Sequence, residues 1–176
     1  MATTPKGRPR VAGQKPRRSK KEENNMPRQS EDNGLYPKAS VALYRTRDLL
    51  FRCEDRAVGK FGLTAEQYSV LAAVKQLDDP VRPTDVGRLL DHKVNTVSMI
   101  VDRMVNAALV ERVRDLPDRR EVRLIIAPKG EKAFKPAHAA ATKLSKEMLS
   151  ALSQDEVKTL IKLLETIRTK AYKQLK

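Results

Sequence analysis

Apolar residues recur at helical spacing along most of the chain and at alternate positions in one short region. Val41, Tyr44 and Phe51, with Leu43, Leu50 and Val58, predict a helix from Pro37 to about Gly59–Gly62. The stretch LTAEQYSVLAAVKQL offers Thr64 and Gln67 as a capping box and Leu63 as a staple residue ahead of it. Tyr68, Leu71, Ala72 and Val74 supply the apolar face of this second helix, which should stop before Asp78, Asp79 and Pro80.

Two short helices follow. Thr84 is placed to cap the first, which runs to Leu90 and should bury Val86, Leu89 and Leu90, with Gly87 small enough for another helix to approach. A break from Asp91 to Val94 precedes the second, where Val97, Ile100, Val101, Met104 and Val105 recur at spacings of three and four. Two helices joined by so tight a turn predict a helix-turn-helix.

Period two takes over in LVERVRD and REVRLII, which predict two strands of a hairpin turning at Leu116 to Arg119. Ala127-Pro128 then opens a helix that Pro136 should kink, because proline lacks the N–H the ladder needs. A last helix begins at the box from Ser153 to Glu156 and carries a stripe of Val157, Leu160, Ile161, Leu164 and Ile167. A helix-turn-helix followed at once by a hairpin is a winged helix. The predicted fold is therefore mainly α (α+β), with a two-stranded wing.

The first 34 residues break this pattern. They hold nine Lys or Arg against four acids, several Pro and Gly, and hardly any large apolar side chain. Such a segment cannot bury enough surface to offset the entropy of ordering, so residues 1–34 are expected to form a disordered basic arm ahead of one domain, 35–176.

Composition narrows the function. The chain has 176 residues, enough for a single core, and a net charge of +14, which favours an anionic polymer as partner. One cysteine excludes an internal disulfide, and neither a signal peptide nor a long apolar run is present, so an intracellular, cytoplasmic protein without a membrane partner is expected. His92 and His138 lie far apart with no Cys or carboxylate at ligand spacing, so no metal is expected. No G-x-S-x-G, P-loop or G-x-G-x-x-G occurs, which leaves an enzyme without a residue set and no cofactor implied.

The stretch RVRDLPDRREVRLIIA crowds five arginines about one proline, and the winged helix gives that crowding a use. The second helix of the pair would enter a major groove while an arginine-tipped hairpin reaches the backbone and the adjoining minor groove. Lys93, Asn95, Thr96, Ser98, Met99 and Arg103 lie at the start or on the outward side of that helix, with Thr84 before it and Arg112, Arg114, Asp118, Arg119 and Arg120 on the wing. Asn95 is equally suited to read adenine or to cap the helix, and Met99 either faces a groove or is partly buried. Asp115 and Asp118 are expected to pair with Arg119, Arg120 or Arg112 and orient the fork in advance. Residues 83–127 net only +1, so affinity must come from charge placement with help from elsewhere.

At these residues the chain resembles the MarR family of transcriptional regulators. LTAEQYSVLAAV matches the second helix, VGRLL and NTVSMIVDRMVNAALVER the helix-turn-helix, and RDLPDRREVRL with PKG the wing and the next helix, over roughly residues 37 to 174. The resemblance implies a winged helix over about 63–127 and dimerisation helices over about 37–60 and 128–174. It implies a homodimer that binds a palindromic operator in double-stranded DNA, commonly as a repressor released by a small-molecule effector. Within it Arg120 resembles the arginine that enters the minor groove, and Arg119 falls at a variable position.

The chain departs from the pattern at Ala108, where the family has Gly, and at Ala127, where it has a Thr cap. Some members sense oxidants through a cysteine near the start of the first helix; Cys53 comes late in it and is expected to be a small buried thiol. The rival reading is a nucleoid-associated or RNA-binding structural protein without sequence preference.

The arm contributes TPKGRPR, which resembles an AT-hook with Gly7, Arg8 and Pro9 as its core and Lys6 and Arg10 on its flanks. The alternative is a basic tail adding phosphate contacts alone, the role expected of KPRRSKK.

Overall fold

A computed structural model describes Met1, residues 34–118 and residues 120–175. Six helices and one hairpin follow in order: α1 Leu35–Gly59, α2 Ala65–Gln76, α3 Pro83–Leu89, α4 Val94–Asn106, β1 Val110–Val113, β2 Arg123–Ile126, α5 Pro128–Leu149 and α6 Gln154–Gln174. The described chain divides into two units, one ending at Ser40 and one from Val41 onward, and the core belongs to the second. In the first, the Lys38 N–H closes the opening turn of α1 on the Gly34 carbonyl at 3.1 Å. The AT-hook residues Lys6, Gly7, Arg8, Pro9 and Arg10, and Arg119 on the wing, lie outside the described residues.

The core gathers side chains from α2, α4, β1, β2 and α5. Leu71 and Val70 from α2, Met104 and Val101 from α4, Val110 and Leu124 from the wing and Ala137 from α5 are all buried. The face predicted for α4 is correct at Val97, Ile100, Val101 and Met104, whereas Val105 turns outward. On α3 only Val86 and Gly87 are buried; Leu89, expected inside, is exposed because the helix ends before its last turn is covered. Gly87 does permit a close approach, since a Cβ there would lie 3.1 Å from the His92 carbonyl oxygen.

Both predicted capping boxes form. Thr64 Oγ1 accepts from the Gln67 N–H at 3.2 Å while Gln67 Oε1 accepts from the Thr64 N–H at 3.0 Å, and Ser153 and Glu156 do the same at the start of α6. The backbone N–H of Ser153 and its hydroxyl hold the Glu156 carboxyl below its ordinary range. Asp55 on α1 adds a further acceptor, its Oδ1 taking the Ala65 N–H at 2.8 Å.

Two predicted caps do not form. Pro83 opens α3 one residue ahead of Thr84, so the cap is Arg82, whose N–H donates to Asp85 Oδ2 at 3.1 Å. Lys93 is the N-cap of α4, which places Asn95 inside the first turn with its side chain released from capping. Ala127 caps α5 without a side-chain acceptor, as its methyl requires, and α5 runs on through Pro136.

The wing strands pair antiparallel in the register Val110↔Ile126 to Val113↔Arg123. Their connection runs from 114 to 122, longer than the Leu116 to Arg119 turn the alternation predicts. Side chains near its ends leave the ladder for carboxylate and guanidinium partners, and Asp118 Oδ1 accepts the Arg120 N–H at 2.8 Å in a local turn. Ala108 takes the left-handed conformation at φ 57°, and the Ala127 N–H then reaches the Leu109 carbonyl at 3.0 Å, seating the start of α5 on the turn between α4 and β1.

Much apolar surface remains uncovered. Residues of α6 contribute nothing to the buried core, and Ile161, Leu163, Leu164 and Ile167 are exposed; on α1 only Val58 is buried, with Val41, Tyr44 and Phe51 outside. Cys53 is exposed too, which overturns the expected buried thiol: it lies on the part of α1 that the single chain leaves bare. No helix among the described residues is long and apolar enough to cross a membrane.

Candidate nucleic-acid interface

The helix-turn-helix fixes where each candidate side chain points. Four apolar residues anchor α4 through one face, which leaves Lys93, Asn95, Thr96 and Met99 exposed on the other. Met99 is 67% exposed, which decides its two readings in favour of a surface side chain. Ser98 and Thr84 are half-buried at the edge of this surface.

The arginines divide into two groups. Arg114 and Arg120 are exposed on the wing, and neither side chain has a hydrogen bond or ion pair among the described residues. The other two candidates are held within the protein. Arg103 donates to Glu66 on α2 at 3.0 Å. Arg112 pairs with Asp102 on α4 and donates to the Ser98 carbonyl at 3.3 Å. Arg112 thus braces the wing against α4, and its charge is already matched before any polyanion arrives.

The acids are also partnered differently from the expected scheme. Asp115 receives Arg123 through both oxygens, at 2.7 and 2.5 Å, and among the described residues neither Arg120 nor Arg112 pairs with it. Hydrogen bonds from Arg123 hold the Asp115 carboxyl below its ordinary range, and the carboxylate raises the Arg123 guanidinium in turn. Asp118 commits one oxygen to the Arg120 backbone, which shapes the tip and leaves the Arg120 guanidinium outward. Sequence does not single out Arg123, because alternation alone assigns it to a strand; the cue is a charged residue at a wing position otherwise filled by apolar neighbours, Val122 and Leu124.

A second polar cluster lies between α2 and α5. Tyr68 Oη is 3.0 Å from His138 Nδ1 on α5, and Phe134 stacks on both rings. Burial first, then the neighbouring Asp55, raises the Glu54 carboxyl, and burial with the Glu54 charge raises the Tyr68 phenol. Among the described residues no three His, Cys, Asp or Glu are grouped to hold a metal.

What this surface can do is present short polar and methyl-bearing side chains to the edges of bases from α4 and, from the wing, two guanidiniums without a partner among the described residues.

Comparison with known proteins agrees with this arrangement. A model of the MarR family matches residues 61–121. The chain is 31% identical over 136 residues to the HTH-type transcriptional regulator MgrA of Staphylococcus aureus, covering 77% of this chain and 90% of MgrA. Its fold is that of the organohalide-sensing regulator RdhR in a 2,4-dichlorophenol-bound form, with a TM-score of 0.72 at 22% identity over 84% of this chain and 87% of that one. It is likewise that of a cysteine-to-serine mutant of MarR from Escherichia coli complexed with operator DNA, with a TM-score of 0.68 at 22% identity over 78% and 97%.

Proposed function

The chain belongs to the MarR family, and from that premise we propose that it is a homodimeric regulator of transcription that binds a palindromic operator in double-stranded DNA and represses until a small ligand releases it. The observation that carries this reading is the pairing of an exposed polar face on α4 with two wing arginines, Arg114 and Arg120, that have no partner among the described residues. Lys93, Asn95, Thr96, Ser98 and Met99 are the proposed base and phosphate contacts of the helix, with Thr84 beside them; Asp118 and Arg119 belong to the wing tip with Arg120. Arg103 and Arg112 join this surface through their ion pairs.

The dimer is supported by the apolar surface that a single chain leaves in water. Ile161 and Ile167 on α6 are 52% and 51% exposed, and a stripe of that length on an otherwise charged helix calls for a second copy. Two such chains would set their α4 helices about 34 Å apart, one turn of duplex, and so require a two-fold operator. A ligand held between the dimerisation helices and the winged helix acts by binding one spacing better than the other. That RdhR, which shares the fold, is organohalide sensing and has a 2,4-dichlorophenol-bound form supports a small molecule as effector. Action on chromosomal DNA sets the site of work in the cytoplasm.

The arm, residues 1–34, is proposed to add nonspecific or A·T-directed contacts to the same duplex. The deciding experiment is competition between a duplex enriched from a random pool by the protein and unselected duplex. A regulator should prefer the former by at least about 10³, whereas equal affinity would convert the reading to a structural nucleoid protein.

A further inference from the structure

One edge of the wing is tied to the loop between α2 and α3 at three places. The Leu124 N–H donates to the Val81 carbonyl at 2.8 Å, so the loop adds a short third rung beside β2. Arg82 Nη2 donates to Glu121 Oε2 at 2.8 Å. The Arg123 guanidinium lies between two carboxylates, with Asp115 on the same wing and Asp79 of the loop at 3.3 and 3.4 Å. Asp115 and Glu121 stand on opposite legs of the wing connection, on either side of the tip that carries Arg120. Both legs are therefore held.

The Arg82–Glu121 pair is poorly explained as a source of stability. Arg82 and Glu121 are each 39% exposed, where an ion pair contributes little. Arg82 Nε is moreover buried with no hydrogen-bond partner, a desolvation cost that the exposed pair does not recover. What the ties do fix is direction. A hairpin attached only through β1 and β2 is free to swing about its base, whereas one tied through both legs keeps a single angle to α4.

We propose that Arg82 and Arg123 are positioning residues, which hold the wing at a set angle to α4 so that helix and wing engage neighbouring grooves of one duplex together. The inference rests on the DNA-reading function proposed above. Neither guanidinium needs to touch DNA for it to operate. A wing set in advance loses less entropy on binding, and it rejects sequences whose groove geometry does not match that angle.

The test is a charge swap: Arg82→Glu, Glu121→Arg and the double variant, with circular-dichroism melting to confirm folding. Affinity is measured for a duplex enriched from a random pool by the parent protein and for unselected duplex. Arg82→Glu makes the protein less basic and Glu121→Arg more basic, so a pure charge effect moves the two variants in opposite directions. A positioning role instead lowers the preference for enriched over unselected duplex in both, by about tenfold, the size of one mismatched base pair. The double variant, which keeps the parent's net charge, should regain most of that preference.

Opposite shifts in the two single variants, or a double variant no better than either, would overturn the proposal. A second arm needs no DNA: heteronuclear NOE values at Asp115 and Arg120 should drop in the single variants and recover in the double, and unchanged values also overturn it. Should the parent enrich no duplex at all, the regulator reading fails, while the relaxation data still decide whether these arginines hold the wing.

Discussion

Gly130 presses its bare Cα against the carbonyl of Leu109: a Cβ built there would lie 2.1 Å from the oxygen and 2.9 Å from Ile126 Cγ2. The obstacle is backbone, and the same carbonyl accepts the Ala127 N–H, so it has no freedom to retreat. Gly130→Ala should therefore destabilise the fold by about 2–3 kcal/mol, the upper part of the overpacking range. Urea denaturation of the two proteins measures it, and equal midpoints would show that α5 can lift off the turn without cost.

The neighbouring turn carries the opposite opportunity. Ala108 is held at φ 57°, a conformation that an L side chain adopts at a cost and glycine adopts freely. Ala108→Gly should stabilise by about 1 kcal/mol, less whatever the added freedom of the unfolded chain removes. A melting temperature at or below the parent's would mean that the methyl is recovering its cost by packing.

These two positions also show how far sequence reaches. Ala108 is legible, because the chain there resembles a pattern whose residue is glycine, and so are the boxes at Thr64 and Ser153, whose chemistry is local. The core face of α4 is legible from spacing alone. What escapes depends on packing across the chain. Gly130 acquires its meaning only when α5 lands on Leu109, 21 positions earlier. The partners of Asp115 and Arg112 cannot be chosen from a crowd of five wing arginines by proximity in sequence; Arg123 and Asp102 win because strand register and helix packing bring them alongside. Its late position in the first helix assigns Cys53 a buried place, but there α1 has no covering partner among the described residues.

Glu54 provides a test by pH. Burial and the adjacent Asp55 raise its carboxyl above the ordinary range, so the charged form is the disfavoured one in the folded protein. A raised carboxyl lets the native state hold its proton more tightly than the unfolded chain does. Its charge therefore detracts from stability at neutral pH, and the loss disappears as pH falls through the folded-state pKa. Glu54→Gln should raise the melting temperature at pH 7 and gain progressively less as the buffer is taken toward pH 4. A benefit independent of pH would show that side-chain charge is not its origin.

Deleting residues 1–34 removes nine Lys or Arg and a net charge of +5 while leaving every described element of the core in place. Binding to duplex DNA should weaken, and the slope of log affinity against log salt should become shallower by about 0.9 for each phosphate that the arm neutralises. The oligomeric state by light scattering should not change. A slope equal to the parent's would take the arm out of DNA binding altogether.

Arg120 and Arg112 should separate two kinds of wing arginine. Arg120 is exposed and its guanidinium has no partner among the described residues, so Arg120→Ala leaves the fold intact and should weaken binding to the enriched duplex by about 1–3 kcal/mol, with melting temperature and solution mass preserved. Arg112 is committed to Asp102 and the Ser98 carbonyl. Its removal should first be felt within the protein. Arg112→Ala and Asp102→Ala, singly and together, should show non-additive melting shifts with a coupling of up to about 1 kcal/mol, as expected of a partly exposed pair. DNA affinity should fall similarly in both single variants, although one removes a positive charge and the other a negative one. That equality is the decisive point, because an Arg112 that grips phosphate directly predicts the reverse: Arg112→Ala weakens binding, while Asp102→Ala frees the guanidinium and strengthens it.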